Sequence, residues 1–226
     1  TAKQTIHFFK YGDTKNFDAS IVKLNIIQNS IYGVDIEKGA VDIARLRFWL
    51  SLIVDENQPK PLPNLDFKIV CGNSLVSKLG DDIIEIDWEL ENKDENLLNE
   101  KIYDKKKNIL TAIHKKHKEY FNSESNKKSL ANEIRNLKID LLINQLEIMI
   151  SNKGIEKPTV YNDKKFKEIN EKYLQTIGWK NQIEKLKKVK AEQNATLEFF
   201  DWKLDFPEVM NENIANPYGF DIVIGN

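Results

Sequence analysis

The sequence predicts an α/β domain in which a parallel sheet is interrupted by a long helical insertion. Two short apolar runs, at residues 30–36 and 67–71, flank a helical stretch at 37–54, and this order is that of a βαβ unit. From about residue 92 to residue 193 the composition changes to one dominated by Lys, Glu, Asn, Leu and Ile. A third apolar run follows at 222–224.

The first part of the chain supplies the elements of the βαβ unit in order. A helical pattern before residue 30 ends in Ile21, Leu24 and Ile27. Apolar residues cover most of the circumference of the 37–54 helix, which predicts that it is buried on more than one side. Three prolines within 55–66 predict a stiff, extended connector. The run at 67–71 is the second buried strand, with Cys71 as a small core residue.

The inserted part is predicted to contain an antiparallel helical hairpin at about 97–150. Leu and Ile recur at heptad-like spacing after a polar turn at 122–126, and Ser129 is the predicted N-cap of the second arm. A third helical segment follows, with an interruption predicted near Gly178. The insertion is therefore expected to be helical and coiled-coil-like.

The last part of the chain is predicted to return to the sheet. Partial alternation at 199–206 predicts an edge strand, and Pro207 suits the first turn of a short helix. The run at 222–224 predicts a buried strand that a Gly-Asn pair ends. Open α/β sheets carry their chemistry just beyond the carboxyl ends of strands, so the residues that follow the strands are the candidate site residues.

The composition limits the class of protein. The formal net charge of -1 does not predict a self-sufficient DNA-binding module. A single cysteine excludes an internal disulfide and favours a reducing compartment. No apolar run approaches the roughly 18 residues that a membrane span needs, and the first residues hold no signal-like apolar core. We therefore expect a cytoplasmic protein without membrane contact.

Asp35 is the first candidate, because it ends a strand and precedes a helix. In doubly wound folds, an acid at this place accepts hydrogen bonds from both hydroxyls of a ribose. The alternative is that Asp35 only caps the helix that follows, whose amides attract negative charge. A nicotinamide dehydrogenase would also need a glycine fingerprint about twenty residues upstream. The only earlier glycine is Gly12, so the sequence does not support that class.

Asn73, Ser74 and Asn226 also follow predicted strands. An amide at position 73 is suited to the edge of an adenine ring, and Asn226 is suited to accept a hydrogen bond from an exocyclic amine. For each of these residues the alternative is an ordinary turn. His114 and His117 lie three residues apart on a Lys-rich helix without further ligands, which predicts a solvated face and no metal site.

Lysines recur on the same predicted helix. The runs at 105–107 and 115–118 predict solvated faces, and contact with DNA phosphates is the alternative.

Taken together, five segments resemble the motifs of adenine-specific DNA methyltransferases, in particular those of type IIG-like restriction-modification enzymes. The second motif and its helix match 31–36 (IYGVDI) and 40–52 (AVDIARLRFWLSL), and the third motif matches 62–75. The approach to the fourth motif, Asn-Pro-Pro-Tyr, matches 206–209 (FPEV) and 219–226 (GFDIVIGN), so that Asn226 is its first residue.

The resemblance implies a fold and roles for individual residues. The fold is a partial class I S-adenosylmethionine-dependent methyltransferase (Rossmann-like) sheet with the helical insertion. Asp35 binds the ribose of S-adenosylmethionine, Ile36 packs on its adenine, and Asn73, followed by Ser74, contacts the adenine amino group. Asn226 holds the amino group of the target adenine after the base is flipped out of double-stranded DNA.

The resemblance also implies an organisation. Residues 1–91 are the partial core with the second and third motifs, 92–195 are the insertion, and 196–226 return to the core at the fourth motif. The Gly-rich first motif and Pro-Pro-Tyr are not in the sequence, so we expect an inactive fragment that works with the rest of a parent polypeptide, with or without a fused nuclease. The alternatives are a non-catalytic helical module that docks a partner or contacts DNA, and a methyltransferase for RNA or protein glutamine.

Overall fold

The computed structural model describes most of the chain. The chain divides into two compact units. The described residues are 19–54, 65–79, 82–90, 97–122, 126–158, 163–192, 197, 199–210, 212, 215 and 217–225. The first unit is Thr1–Lys78 and the second is Leu79–Asn226. No helix in the described part of the chain is long and apolar enough to cross a membrane.

The first unit contains the predicted βαβ arrangement. Helix α1 (Ala19–Ser30) precedes strand β1 (Gly33–Asp35), helix α2 (Lys38–Ile53) follows it, and strand β2 (Ile69–Cys71) pairs with β1 in parallel. The prediction of two parallel strands around a helix is therefore confirmed. The prolines of the predicted connector lie at 55–64, outside the described residues.

The core of the first unit is small and is closed around β2. Its buried members are Ile27, Val41, Leu52, Leu65 and Ile69. The guanidinium of Arg45 on α2 donates to the carbonyl of Ile69 from Nε at 3.0 Å and from Nη2 at 2.6 Å, and its Nη1 lies 3.0 Å from Asp66 Oδ1. Because these bonds join α2 to β2, they fix the helix against the strand pair.

Two burial predictions for the first unit are wrong. Only Val41 and Leu52 of α2 are buried, whereas Ile43 is 57% exposed and Leu46 and Leu50 are each 48% exposed. Cys71 is exposed as well. The apolar pattern predicted the helix and the strand correctly, but one side of α2 is exposed to solvent in the described structure.

The second unit contains the predicted helical hairpin. Strands β3 (Lys78–Leu79) and β4 (Asp82–Ile83) form a two-stranded sheet where the chain enters this unit, and helices α3 (Leu97–Asn122) and α4 (Lys127–Lys153) follow. Lys116 of α3 lies 2.9 Å from Glu133 of α4, and Lys105 lies 3.9 Å from Glu147. The order of these ion pairs shows that the two helices are antiparallel, as predicted.

A third long helix and two short ones complete the second unit. These are α5 (Asp163–Ala191), α6 (Trp202–Asp205) and α7 (Pro207–Met210). The predicted start of a helix at Pro207 is confirmed. The core is formed mainly by α3, α4 and α5, and its fully buried members include Ile113, Ile139, Leu141, Leu146, Leu186 and Leu204.

Two predictions about helix boundaries are wrong. Helix α4 begins at Lys127, so Ser129 lies within its first turn, where its hydroxyl donates to Glu133 Oε1 at 3.3 Å rather than capping the helix. Helix α5 continues through Gly178 without interruption. A single glycine costs a helix only about 1 kcal/mol, and packing of the neighbouring Trp179, which is buried, offsets that cost.

The two strands predicted for the end of the chain are also absent from the described residues there. Residues 202–205 form α6 because Asp201 caps it: Asp201 Oδ1 accepts from the backbone amides of Lys203 at 2.9 Å and Leu204 at 3.1 Å. Residues 222–224 have no strand geometry, and their side chains are 73–91% exposed. An isolated apolar run has no partner strand here to complete its hydrogen bonds.

The predicted division of the chain into a partial core at 1–91, an insertion at 92–195 and a return to the core at 196–226 stays a prediction.

Candidate active site

The candidate site lies at the carboxyl ends of the two parallel strands in the first unit. Asp35 ends β1 directly opposite Cys71, which ends β2, and the amide of Gly72 donates to the carbonyl of Asp35 at 2.9 Å. Asn73 follows two residues after Cys71. The parallel register therefore brings two predicted site residues, 38 positions apart in the sequence, to the same edge of the sheet.

The carboxylate of Asp35 is partly engaged by its own turn. Its Oδ1 accepts the amide hydrogen of Glu37 at 2.8 Å, just before α2 begins at Lys38. The side chain is exposed, and among the described residues no donor is found for Oδ2. Each carboxylate oxygen has two acceptor positions. Asp35 can thus stabilise the turn and still accept two hydrogen bonds from another molecule.

The side chain of Asn73 is oriented by its own backbone. Its Oδ1 accepts the amide hydrogens of Leu75 at 2.9 Å and Val76 at 3.0 Å. This is the turn that the alternative interpretation expected, and it fixes which end of the amide is the nitrogen. Because both acceptor positions of the oxygen are taken, the group that Asn73 offers to another molecule is its Nδ2, a donor.

Apolar side chains stand beside these polar groups. Ile36 is 66% exposed and Leu75 is 91% exposed, and Ser74, which directly precedes Leu75, is exposed as well. Large aliphatic side chains with this exposure cost free energy in water, which makes them candidates for contact with a flat ring. Leu75 was not singled out from the sequence, because its exposure depends on the turn at Asn73 rather than on any pattern.

Asn226 lies outside the described residues. The segment that leads to it is anchored in the second unit by aromatic packing: the ring of Phe220 lies 5.8 Å from that of Trp202 and 6.1 Å from that of Phe206. Gly219, with φ at +104°, donates from its amide to Val209 at 2.7 Å. A positive φ of this size favours glycine, so this turn depends on the residue type.

The second unit also buries an ion pair and a histidine. Lys138 Nζ lies 2.6 Å from Asp205 Oδ1, and both residues are buried. His117 is only 3% exposed, which makes the prediction of a solvated histidine face wrong; its Nδ1 lies 3.8 Å from Glu208 Oε2. Burial lowers the pKa of His117 below its ordinary value of 6.5. No metal-binding group of His, Cys, Asp and Glu side chains occurs in the part of the chain that the structure describes.

Comparison with known proteins defines the class. Residues 29–226 match the family described as Eco57I restriction-modification methylase. The chain therefore belongs to this family of restriction-modification methylases, as the resemblance of its motifs indicated. No solved structure matches the chain.

A curated relative adds a particular comparison. The chain is 30% identical over 223 residues to a protein of Methanocaldococcus jannaschii named as a putative type II restriction enzyme and methyltransferase. That match covers 90% of this chain and 18% of the relative. The chain thus spans less than a fifth of the length of the relative that it matches.

Proposed function

We propose that this chain is part of an adenine-specific DNA methyltransferase that uses S-adenosylmethionine. The main support is the arrangement of two side chains in a member of the methylase family: Asp35 and Asn73 follow neighbouring parallel strands. Asp35 offers an acceptor and Asn73 offers a donor, and exposed apolar side chains lie next to them in the sequence. A nucleoside needs this combination, since it presents a ribose diol and a flat ring with polar edges.

The residues at the strand ends fit the nucleoside part of the cofactor. The Asp35 carboxylate would accept from both ribose hydroxyls, and Ile36, with Leu75, would pack on the adenine ring. Ser74 adds an exposed hydroxyl at the same edge. Asn73 offers a donor, which suits a ring nitrogen of adenine better than the amino group that the resemblance implies.

Asn226 is the proposed catalytic residue, on the strength of the motif resemblance. The cofactor, when bound, supplies the electrophilic methyl group. Asn226 would accept a hydrogen bond from the amino group of a flipped-out adenine and so turn its lone pair toward the methyl carbon, which is a positioning effect. The base must leave the duplex because its amino group is inaccessible in the stack.

The larger architecture is part of the same proposal. We infer a Rossmann-like sheet of which β1 and β2 are members, with the helical segment at 92–195 as a coiled-coil-like insertion between 1–91 and 196–226. The relative's name includes a restriction enzyme, so a nuclease in the same polypeptide is also proposed. Because neither a Gly-rich first motif nor Pro-Pro-Tyr is in the sequence, we expect these 226 residues by themselves not to methylate DNA.

The test is methyl transfer to double-stranded DNA by the chain expressed together with its flanking coding sequence. We would supply S-adenosylmethionine with a tritiated methyl group and identify the labelled nucleoside after digestion. We expect N6-methyl-2′-deoxyadenosine from the wild type and none from Asn226→Ala. Asn181→Ala, which changes an exposed asparagine on α5, is the matched control and should keep full activity.

Each other outcome has a definite meaning. Label on cytosine would refute the adenine specificity while leaving a DNA methyltransferase. Label on RNA or protein but not on DNA would favour the other substrate classes. A folded protein that binds no cofactor and transfers no methyl group would favour a non-catalytic helical module.

A further inference from the structure

Five exposed lysines lie on the helical hairpin and at its turn. Three are on α3 and two begin α4, and together we call them the hairpin lysine face: Lys107, Lys115, Lys118, Lys127 and Lys128. Their side of α3 points away from the buried side of the same helix, which includes Ile113 and Tyr120. The face is therefore turned to solvent along its length.

These lysines differ from most others of the second unit in their partners. Lys138, Lys153 and Lys190 each lie 2.6 Å from a carboxylate oxygen, and Lys185 and Lys203 also pair with acids. Within the residues that the structure describes, no lysine of the hairpin lysine face has an acidic partner within 4.0 Å. Their charge is thus left for a partner outside the unit.

The nearest acids on α3 cancel only part of this charge. Glu119 lies 2.9 Å from Lys116, which also lies 2.9 Å from Glu133 on α4, so both acids are occupied by a lysine that is not part of the face. Asp104 is exposed one turn before Lys107. The chain as a whole has a formal net charge of -1, so positive potential arises here from the placement of charges rather than from an excess of them.

The spacing of the face suits a double helix. With a rise of 1.5 Å per residue, Lys107 and Lys115 are about 12 Å apart along the axis of α3, which is about the width of the major groove of B-DNA. Lys118 follows Lys115 by about 4.5 Å on the same side. Lysines at both ends of this stretch can therefore contact phosphates on the two sides of one groove.

We propose that the hairpin lysine face contacts the phosphate backbone of double-stranded DNA. This inference rests on the proposed function, which supplies DNA as the partner. Contacts to phosphates position a protein on the duplex without reading its sequence. The hairpin thus holds the DNA in place, and base-specific recognition belongs to other surfaces.

The test compares two variants with the same change of charge. The first variant removes three lysines of the hairpin lysine face: Lys107→Gln/Lys115→Gln/Lys118→Gln. The control variant removes three exposed lysines of α5 that have no acidic partner among the described residues: Lys167→Gln/Lys180→Gln/Lys188→Gln. Gln and Lys have similar helix propensities, so both proteins should fold. Circular dichroism and a melting curve check this directly.

Binding of the wild type and the two variants, each expressed with the flanking coding sequence, to a fluorescent 20-base-pair duplex would be measured at salt concentrations from 50 to 200 mM. If three phosphate contacts are lost, the slope of log K against log salt falls by about 2.7, so that the wild type loses about 40-fold more affinity over this range than the variant does. The α5 variant should match the wild type. Equal slopes for the wild type and the face variant, or a wild type without salt-dependent binding, would overturn the proposal.

Cofactor binding, measured on the same preparations, separates this proposal from the one on which it rests. The face variant should bind S-adenosylmethionine as the wild type does. If cofactor binding is intact but the loss of the three lysines leaves DNA affinity unchanged, only the hairpin proposal fails. If the wild type binds no cofactor, the proposed function fails, whatever the DNA measurements give.

Discussion

The sharpest prediction concerns the two oxygens of Asp35. One oxygen holds the turn before α2 through the bond of 2.8 Å from the Glu37 amide, and the proposed function gives both oxygens to a ribose. Asp35→Asn keeps an acceptor for the Glu37 amide but replaces the other oxygen with an amide donor, so that the side chain can no longer accept hydrogen bonds from both ribose hydroxyls with two oxygens. Asp35→Ala removes both functions. The two variants therefore separate stability from cofactor binding.

The magnitudes follow from the kinds of hydrogen bond involved. A hydrogen bond to a charged group contributes about 1.5–3 kcal/mol, so Asp35→Asn, which loses one acceptor for the ribose, should weaken cofactor binding by about 10- to 150-fold while unfolding like the wild type. Asp35→Ala loses both acceptors and should weaken cofactor binding further. Asp35→Ala should also lose about 0.5–1.5 kcal/mol of stability, because the turn bond is gone.

Isothermal titration with S-adenosylmethionine and urea unfolding measure the two effects. The protein is the chain expressed with its flanking coding sequence. Asp42→Ala, which removes an exposed acid from α2, is the matched control and should bind as the wild type does. If Asp35→Asn binds the cofactor with wild-type affinity, the assignment of this carboxylate to the ribose is refuted, and Asp35 is only a turn residue.

Two further predictions concern the buried charges of the second unit. Lys138→Ala leaves Asp205 buried without its ion-pair partner, so the free energy of unfolding in urea titrations should fall by about 3–5 kcal/mol. The double variant Lys138→Met/Asp205→Asn should recover most of this loss. A loss below about 1 kcal/mol for Lys138→Ala would contradict the buried ion pair. Burial lowers the pKa of His117 in the folded protein, so the unfolded chain binds a proton at this histidine more readily. The free energy of unfolding should therefore be independent of this group above pH 6.5 and should decrease as the pH falls below 6.5 toward the folded pKa. His117→Gln should flatten this decline, by at most about 1.4 kcal/mol per pH unit, and equal slopes for the two proteins between pH 7 and pH 5.5 would show that His117 is not its source.

Local patterns predicted those elements whose cause is local. The alternation of strand, helix and strand in the first unit and the two arms of the hairpin were found because apolar spacing follows from the geometry of each element by itself. Pro207 marked the start of α7 because its fixed φ suits a first helical turn. Asp35 and Asn73 were candidates for a similar reason: each directly follows a strand in the sequence.

Contacts between distant segments decided what the pattern could not. Residues 202–205 alternate like a strand, yet they form a helix whose cap, Asp201, accepts a bond of 3.0 Å from Trp88 Nε1, 113 residues earlier. His117 has the sequence surroundings of a solvated face, but it is buried where α3 meets α7, which holds Glu208. Neither neighbour can be read from a local window.

The sequence by itself determined the βαβ elements, the helical hairpin, the motifs and hence the family, because each of these depends on consecutive residues or on a short period. The tertiary structure decided which side chains are buried, which lysines are paired, and which atoms of Asp35 and Asn73 are left open. Burial and pairing depend on the segments that fold against a residue. A carboxylate or an amide has the same sequence letter whether its oxygens are engaged or free, so only the arrangement in space distinguishes a turn from a binding site.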